Sequence, residues 1–234
     1  MLQRLPVGIQ TFSELRSRDC LYVDKTEAIH QLITMGKYFF LSRPRRFGKS
    51  LLLSTIKEIY QGNRALFDGL WIADRWDWAK VHPVIHLSFA SMGYRDLGLD
   101  AAIRLQLQSI ANNYGIHSDN SGGIARIFAE LLEKLAAKHG KVVLLIDEYD
   151  KPLIDYLDDI PLAKTNQQVM KTFYSVLKDS DPYLEFLLIT GVSKFSRVSI
   201  FSDLNNLADL TMNRRFATLT GYTQPELEHY FAPY

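Results

Sequence analysis

Val142-Val143-Leu144-Leu145-Ile146 is an unbroken apolar run that closes on Asp147-Glu148. A strand with one wet face alternates apolar and polar residues. A run that is apolar at every position is buried on both faces, as in the interior of a parallel sheet covered by helices. That one segment points to an α/β domain, because only flanking helices can cover both faces. The rest of the chain supplies the parts. Tyr38-Phe39-Phe40-Leu41, Val84 to Phe89 and Phe186 to Val192 read as further strands, and Phe216-Ala217-Thr218-Leu219 as a candidate fifth. Helical stretches are expected from Lys49 to Tyr60, from Leu99 to Ala111, from Ile124 to Lys138 and from Asn166 to Lys178. The third carries Ile127, Leu131, Leu132 and Leu135 on one stripe. Helices that alternate with strands imply parallel pairing through right-handed crossovers.

Composition narrows the function classes. With 234 residues and 47% apolar side chains, the chain has material for one large core or two small ones and is not a disordered or low-complexity sequence. Basic and acidic residues number 27 and 26, a formal net charge of +1, which gives no support to a general nucleic-acid or acidic-membrane binder. Any basic site is therefore local. A lone cysteine, Cys20, forms no internal disulfide. The N-terminal residues carry no apolar signal region, and no run of about 18 apolar residues spans a membrane, so a cytoplasmic location is expected.

The local basic site lies between the first strand and the first long helix, at Arg43-Pro44-Arg45-Arg46-Phe47-Gly48-Lys49-Ser50. Its second half matches the P-loop pattern. In its first half Arg43 stands where that pattern has glycine, with the spacing kept. In such a loop, Arg43 to Leu51 surrounds the phosphates, and its backbone N–H groups, of which Pro44 has none, point at them, helped by the free N–H groups at the helix start. Gly48 permits a close backbone approach. Lys49 reaches the β- and γ-phosphates, and the Ser50 hydroxyl is an oxygen ligand for Mg²⁺. Arg45 and Arg46 add positive charge, or face solvent or an acidic partner.

The acidic strand end is the complementary half. An Asp at the carboxyl end of a parallel strand sits in the crevice where ligands bind in open α/β sheets. There Asp147 holds Mg²⁺ and Glu148 polarises an attacking water, the Walker B arrangement. Further along, Thr190 and Ser193 at the end of the Phe186 strand are candidates to sense phosphate or water, with hydrogen bonding to the turn as the alternative. Lys194 follows them. Arg214 and Arg215 are candidate arginine fingers, with surface ion pairing as the alternative.

These residues resemble the bacterial and archaeal AAA-ATPase-like family of P-loop proteins, whose phosphate loop is Arg-Pro-Arg-Arg-Phe-Gly-Lys-Ser. The likeness extends through Leu5 to Ile9, Tyr22 to Thr26, Leu145 to Pro152 and Thr190 to Phe195, and reaches from about Leu5 to Tyr222. The resemblance implies a three-layer P-loop NTPase fold with a mainly parallel sheet and an extra strand between the Walker A and Walker B strands. It also implies ATP and Mg²⁺ as ligands. Members are often longer and commonly carry a C-terminal region resembling PD-(D/E)xK nucleases. No such motif stands here, so nuclease activity is not carried over and the chain is expected to be the ATPase half.

The expected organisation is an N-terminal segment at 1–36 packed on the core, the core at 37–222, and the start of a truncated helical region at 223–234. Thr223-Gln224-Pro225-Glu226 has the pattern of a capping box with proline in the first turn. The expected function is Mg-dependent ATP hydrolysis. The alternatives are a nucleotide-gated switch with little hydrolysis, and the ATPase half of a nucleic-acid-processing protein. A homo-oligomer or a C-terminal domain is a possible partner. No Asn/Thr-Lys-x-Asp segment is present to read guanine, which favours adenine. Tyr22 to Thr26 either borders the base or is an N-terminal segment packed on the sheet, and Phe12, Leu15 and Tyr22 are candidates to pack on the base. His82 and His86 lack a third metal ligand, and Trp71, Trp76 and Trp78 read as core or domain contacts.

Overall fold

The computed structural model describes residues 2–117, 121–193, 200, 201, 204 and 206–234. Five parallel strands form one sheet: β1 (Tyr38–Ser42), β2 (Val84–Ser88), β3 (Val142–Asp147), β4 (Leu184–Gly191) and β5 (Ala208–Asp209). Their order across the sheet is β2-β3-β4-β1-β5. β4 thus lies between the strand that leads into the phosphate loop and the strand that ends on Asp147, the extra-strand order expected of the fold. Registers are direct, with Tyr38 opposite Leu187 and Leu144 opposite Leu187 on the other side.

Alternation along the strands sends side chains to two cores. Phe40, Leu144, Ile146, Leu187 and Ile189 face helices α5 (Leu99–Asn113), α6 (Ile124–His139) and α8 (Ile160–Ser175). Phe39, Leu41, Val143, Leu145 and Leu188 face α1 (Phe12–Ser17), α2 (Thr26–Met35) and α3 (Lys49–Tyr60). The sheet is buried on both sides, which is why β3 carries no polar residue before its tip. The short helices α4 (Tyr94–Leu97) and α7 (Lys151–Ile154) follow β2 and β3. The last element, α9 (Gln224–Phe231), opens on the capping box: Thr223 accepts from the Glu226 N–H and Glu226 accepts from the Thr223 N–H.

Two expectations need correction. Phe216 to Leu219 is not a strand. Phe216 and Leu219 are both buried while Ala217 and Thr218 are exposed, so burial repeats every three residues and not every two. Consecutive turn hydrogen bonds, Phe216 N–H to Asn213 and Leu219 N–H to Phe216, bend the backbone into a short 3₁₀ helix over Arg214–Phe216. The fifth strand is the two-residue Ala208–Asp209, which pairs with Phe39 and Phe40 at the sheet edge. Helix α8 begins at Ile160, well before Asn166, because Asp159 caps it by accepting from the Leu162 N–H and Pro161 sits in its first turn.

Among the described residues no helix is long and apolar enough to cross a membrane. The tryptophans Trp71, Trp76 and Trp78 are half-buried against the α1–α3 core. His82 holds the Lys141 carbonyl at 2.9 Å, and His86 lies within β2.

Candidate nucleotide site

A cavity of about 750 Å³ opens at the carboxyl ends of β1 and β3. Its floor is the phosphate loop and the start of α3, Arg45 to Leu52. One wall is N-terminal, with Ile9, Leu15, Leu21, Tyr22, Val23 and Lys25. Another wall is Leu219 to Tyr222, and Glu148 lines the cavity at its rim beside the loop. The volume lies in the range of small-molecule sites.

The floor is built by the chain's local geometry. Gly48 is the N-cap of α3 with φ of 83°, a left-handed conformation that glycine adopts without steric cost. Arg46 takes the same region at φ 66°, so the loop holds a non-glycine residue in a strained conformation. The N–H groups of Lys49 to Leu51 have no partner earlier in the helix, and these residues line the cavity, an arrangement that suits an anion. Lys49 is 6% exposed, and its ammonium donates to the carbonyls of Arg43 and Pro44, each at 2.9 Å. Burial lowers its pKa, while Asp147, Glu148 and Asp150 oppose that shift.

The tip of β3 meets the loop from the other side. The Ser50 hydroxyl donates to Asp147 Oδ2 at 2.6 Å. The other carboxylate oxygen, Oδ1, accepts from Thr190 Oγ1 at 2.6 Å and from the Glu148 N–H at 3.0 Å. Thr190 is fully buried. It therefore fixes the Asp147 carboxylate and does not line the cavity. Glu148 leaves the strand with φ of 52°, again left-handed, which turns its side chain toward the rim. Its pKa is raised, first by burial and then by the Asp147 charge.

Other candidates lie elsewhere. The guanidinium of Arg43 bonds the carbonyls of Ser42, Thr211 and Phe216 and is outside the cavity lining. Pro44 is outside the lining as well, and contributes its carbonyl to Lys49. Arg45 and Arg46 line the cavity and are exposed, as is Phe47. Arg214 and Arg215 are exposed on the 3₁₀ turn; Arg215 reaches Gln31 at 3.3 Å and its guanidinium lies over the Phe216 ring. Neither lines the cavity of its own chain. Ser193 contributes backbone groups: its N–H donates to Asp150 and its carbonyl accepts from Tyr149. Lys194 and Phe195 lie outside the described residues. Of the base candidates, Leu15 and Tyr22 line the cavity and Phe12 packs beneath in the core.

Asp150 has a structural part that its sequence position did not reveal. It is 1% exposed and accepts from the N–H groups of Val192 at 3.0 Å and Ser193 at 2.6 Å. It thereby ties the end of β4 to the tip of β3. Burial raises its pKa, and those two backbone donors oppose the shift. Gly191 is squeezed beneath: a Cβ there would lie 2.5 Å from the Tyr149 ring and 2.8 Å from Asp150 Oδ1. The only sequence signal for this tie is the Asp-Glu-Tyr-Asp run itself.

Phosphate loop, helix start and acidic strand tip are thus contiguous, in a chain whose residues 6–201 match the family described as Predicted AAA-ATPase. The chain belongs to this family. The family match covers the loop, the N-terminal wall, the β3 tip and the end of β4, and stops short of the Leu219–Tyr222 wall. Over 234 residues the chain is 45% identical to an uncharacterized protein encoded in the vnfD 5′ region of Azotobacter chroococcum mcd 1. That alignment takes in 99% of this chain and 45% of the relative, so the chain spans under half the length of the relative it matches. No solved structure matches the chain. Membership in a family of predicted ATPases supports nucleotide binding by the chain.

Proposed function

We infer that the chain binds ATP in this cavity and hydrolyses it to ADP and phosphate in a Mg²⁺-dependent reaction. The observation that carries the reading is the 2.6 Å bond between Ser50 Oγ and Asp147 Oδ2, directly beside Lys49 at a helix start. Two oxygen donors aimed at one point suit Mg²⁺, which prefers oxygen ligands and retains water. Ser50 and Asp147 would hold the ion, which supplies charge neutralisation on the phosphate oxygens.

The chain's own groups account for the remaining work. The N–H groups of Gly48 to Leu51 and the Lys49 ammonium bind the triphosphate, Lys49 exchanging its two loop carbonyls for phosphate oxygens. Thr190 holds Asp147 in one orientation. Glu148, the acid at the cavity rim, accepts a proton from the attacking water; its raised pKa strengthens it as a base once ionised. The Leu21–Lys25 and Leu219–Tyr222 walls enclose the nucleoside end, and adenine is the base favoured by the sequence.

A second reading, a nucleotide-gated module with slow hydrolysis, is favoured by the Lys49 ammonium being engaged by its own loop. Steady multiple-turnover phosphate release by the purified chain supports hydrolysis. Stoichiometric binding with no turnover supports the gated module. Glu148→Gln separates the roles: it is expected to keep ATP bound and to abolish turnover.

A further inference from the structure

Arg43 occupies the loop position where the general phosphate-loop pattern has glycine, yet its guanidinium does not face the cavity. It donates to Thr211 O at 2.8 Å, Ser42 O at 3.1 Å and Phe216 O at 3.3 Å. Two of those carbonyls belong to the segment after β5. Its backbone N–H also holds Gly191 O at 3.1 Å, so the residue is fixed at both ends. The segment it grips leads, three residues on, into the cavity wall, with the Leu219 N–H bonded to Phe216 O at 3.3 Å. At the other end of the loop the Phe47 ring only faces that wall, 3.7 Å from where a Cβ on Gly221 would stand. The wall also carries an unsatisfied group. Thr220 is 8% exposed, lines the cavity, and its hydroxyl has no hydrogen-bond partner among the described residues.

We propose that Arg43 is a positioning residue that sets the spacing between the phosphate loop and the Leu219–Tyr222 wall, and so governs binding of the nucleoside end without touching the phosphates. The proposal rests on the nucleotide reading of the cavity. The chemistry favours a spacer over a ligand. A planar guanidinium presents five donors in a fixed fork, so it holds three carbonyls from two stretches of chain in one rigid geometry, whereas the three rotatable donors of an ammonium impose no such fork. Phosphates are held at Gly48 to Ser50, so the remainder of a nucleotide must run along the cavity toward a wall. A wall that carries a buried hydroxyl without a partner has a hydrogen bond to offer a polar ligand.

The test separates the two ends of the ligand. Binding of Mg-ATP and of Mg-tripolyphosphate, which has no nucleoside, is measured by calorimetry on the full chain as wild type, Arg43→Ala and Arg43→Lys. Arg43→Ala is expected to weaken ATP about tenfold or more and to leave tripolyphosphate within about twofold. Arg43→Lys keeps the charge but not the fork and is expected to fall between wild type and alanine. Should the alanine variant fail to fold, the lysine variant carries the test, with ATP weakened about threefold or more against unchanged tripolyphosphate. Equal loss of both ligands would overturn the proposal, because Arg43 would then act on the phosphates or on the loop itself. No loss of either would overturn it too. A wild-type chain that binds neither ligand would instead remove the nucleotide reading beneath it.

Discussion

Ser50 and Asp147 stand 97 positions apart in the chain and their side-chain oxygens are 2.6 Å apart. One opens a helix after β1 and the other ends β3, and β4 separates those strands in the sheet. The contact therefore depends on the whole sheet and not on local sequence. Ser50→Ala and Asp147→Asn are each expected to lower ATP turnover by about a hundredfold. The double variant should be little worse than either single one, since both remove the same unit. Steady-state phosphate release across a Mg²⁺ titration checks this.

Thr190 supports that pair from beneath. Thr190→Val keeps the shape and removes the 2.6 Å bond to the buried Asp147 carboxylate. A lost hydrogen bond to a charged group costs about 1.5–3 kcal/mol, so the melting temperature should fall. Turnover should fall with little change in KM, and Thr190→Ser should restore both. Thermal melts and initial rates read the two effects.

Glu148 gives a pH signature in the nucleotide-free protein. Its folded pKa lies above the ordinary carboxylate value, first through burial and then through Asp147. The folded state therefore favours the protonated acid. Its stabilising contribution is complete below the unfolded pKa and is lost as pH rises through the folded one. Glu148→Gln mimics the protonated form at every pH. The variant should thus melt above wild type near neutrality, and the difference should vanish in acid. Melting curves taken between about pH 4 and pH 8 test the sign.

Gly191 has no room for a methyl group. A Cβ would sit 2.5 Å from the buried Tyr149 ring and 2.8 Å from Asp150 Oδ1. Gly191→Ala is expected to cost about 1–3 kcal/mol of stability by overpacking. It should also lower turnover, because the β4 end and the β3 tip shift together through Asp150. Denaturant unfolding and phosphate release measure the two.

The parts that could be read from sequence were those with dense local patterning. Val142 to Ile146 is apolar throughout because both faces are buried, and Gly48-Lys49-Ser50 sits between a strand and a helix, so both announced their place. The extra-strand order came through the family resemblance and matches the sheet. Phe216 to Leu219 misled because a short apolar segment does not distinguish a three-residue burial repeat from a strand. Arg43 gave no hint of its destination, since its partners are backbone carbonyls at Thr211 and Phe216. A carbonyl leaves no mark in a sequence. Asp150 was hidden for the same reason, its partners being the N–H groups of Val192 and Ser193.

In the proposed function the Lys49 ammonium, held here by the carbonyls of Arg43 and Pro44, binds the phosphates of a nucleoside triphosphate. Calorimetric titration of Mg-ATP into wild type and Lys49→Ala tests it most directly. Micromolar binding by wild type that is lost in the variant is the predicted result. Absent binding by wild type, or undiminished binding by Lys49→Ala, would contradict it.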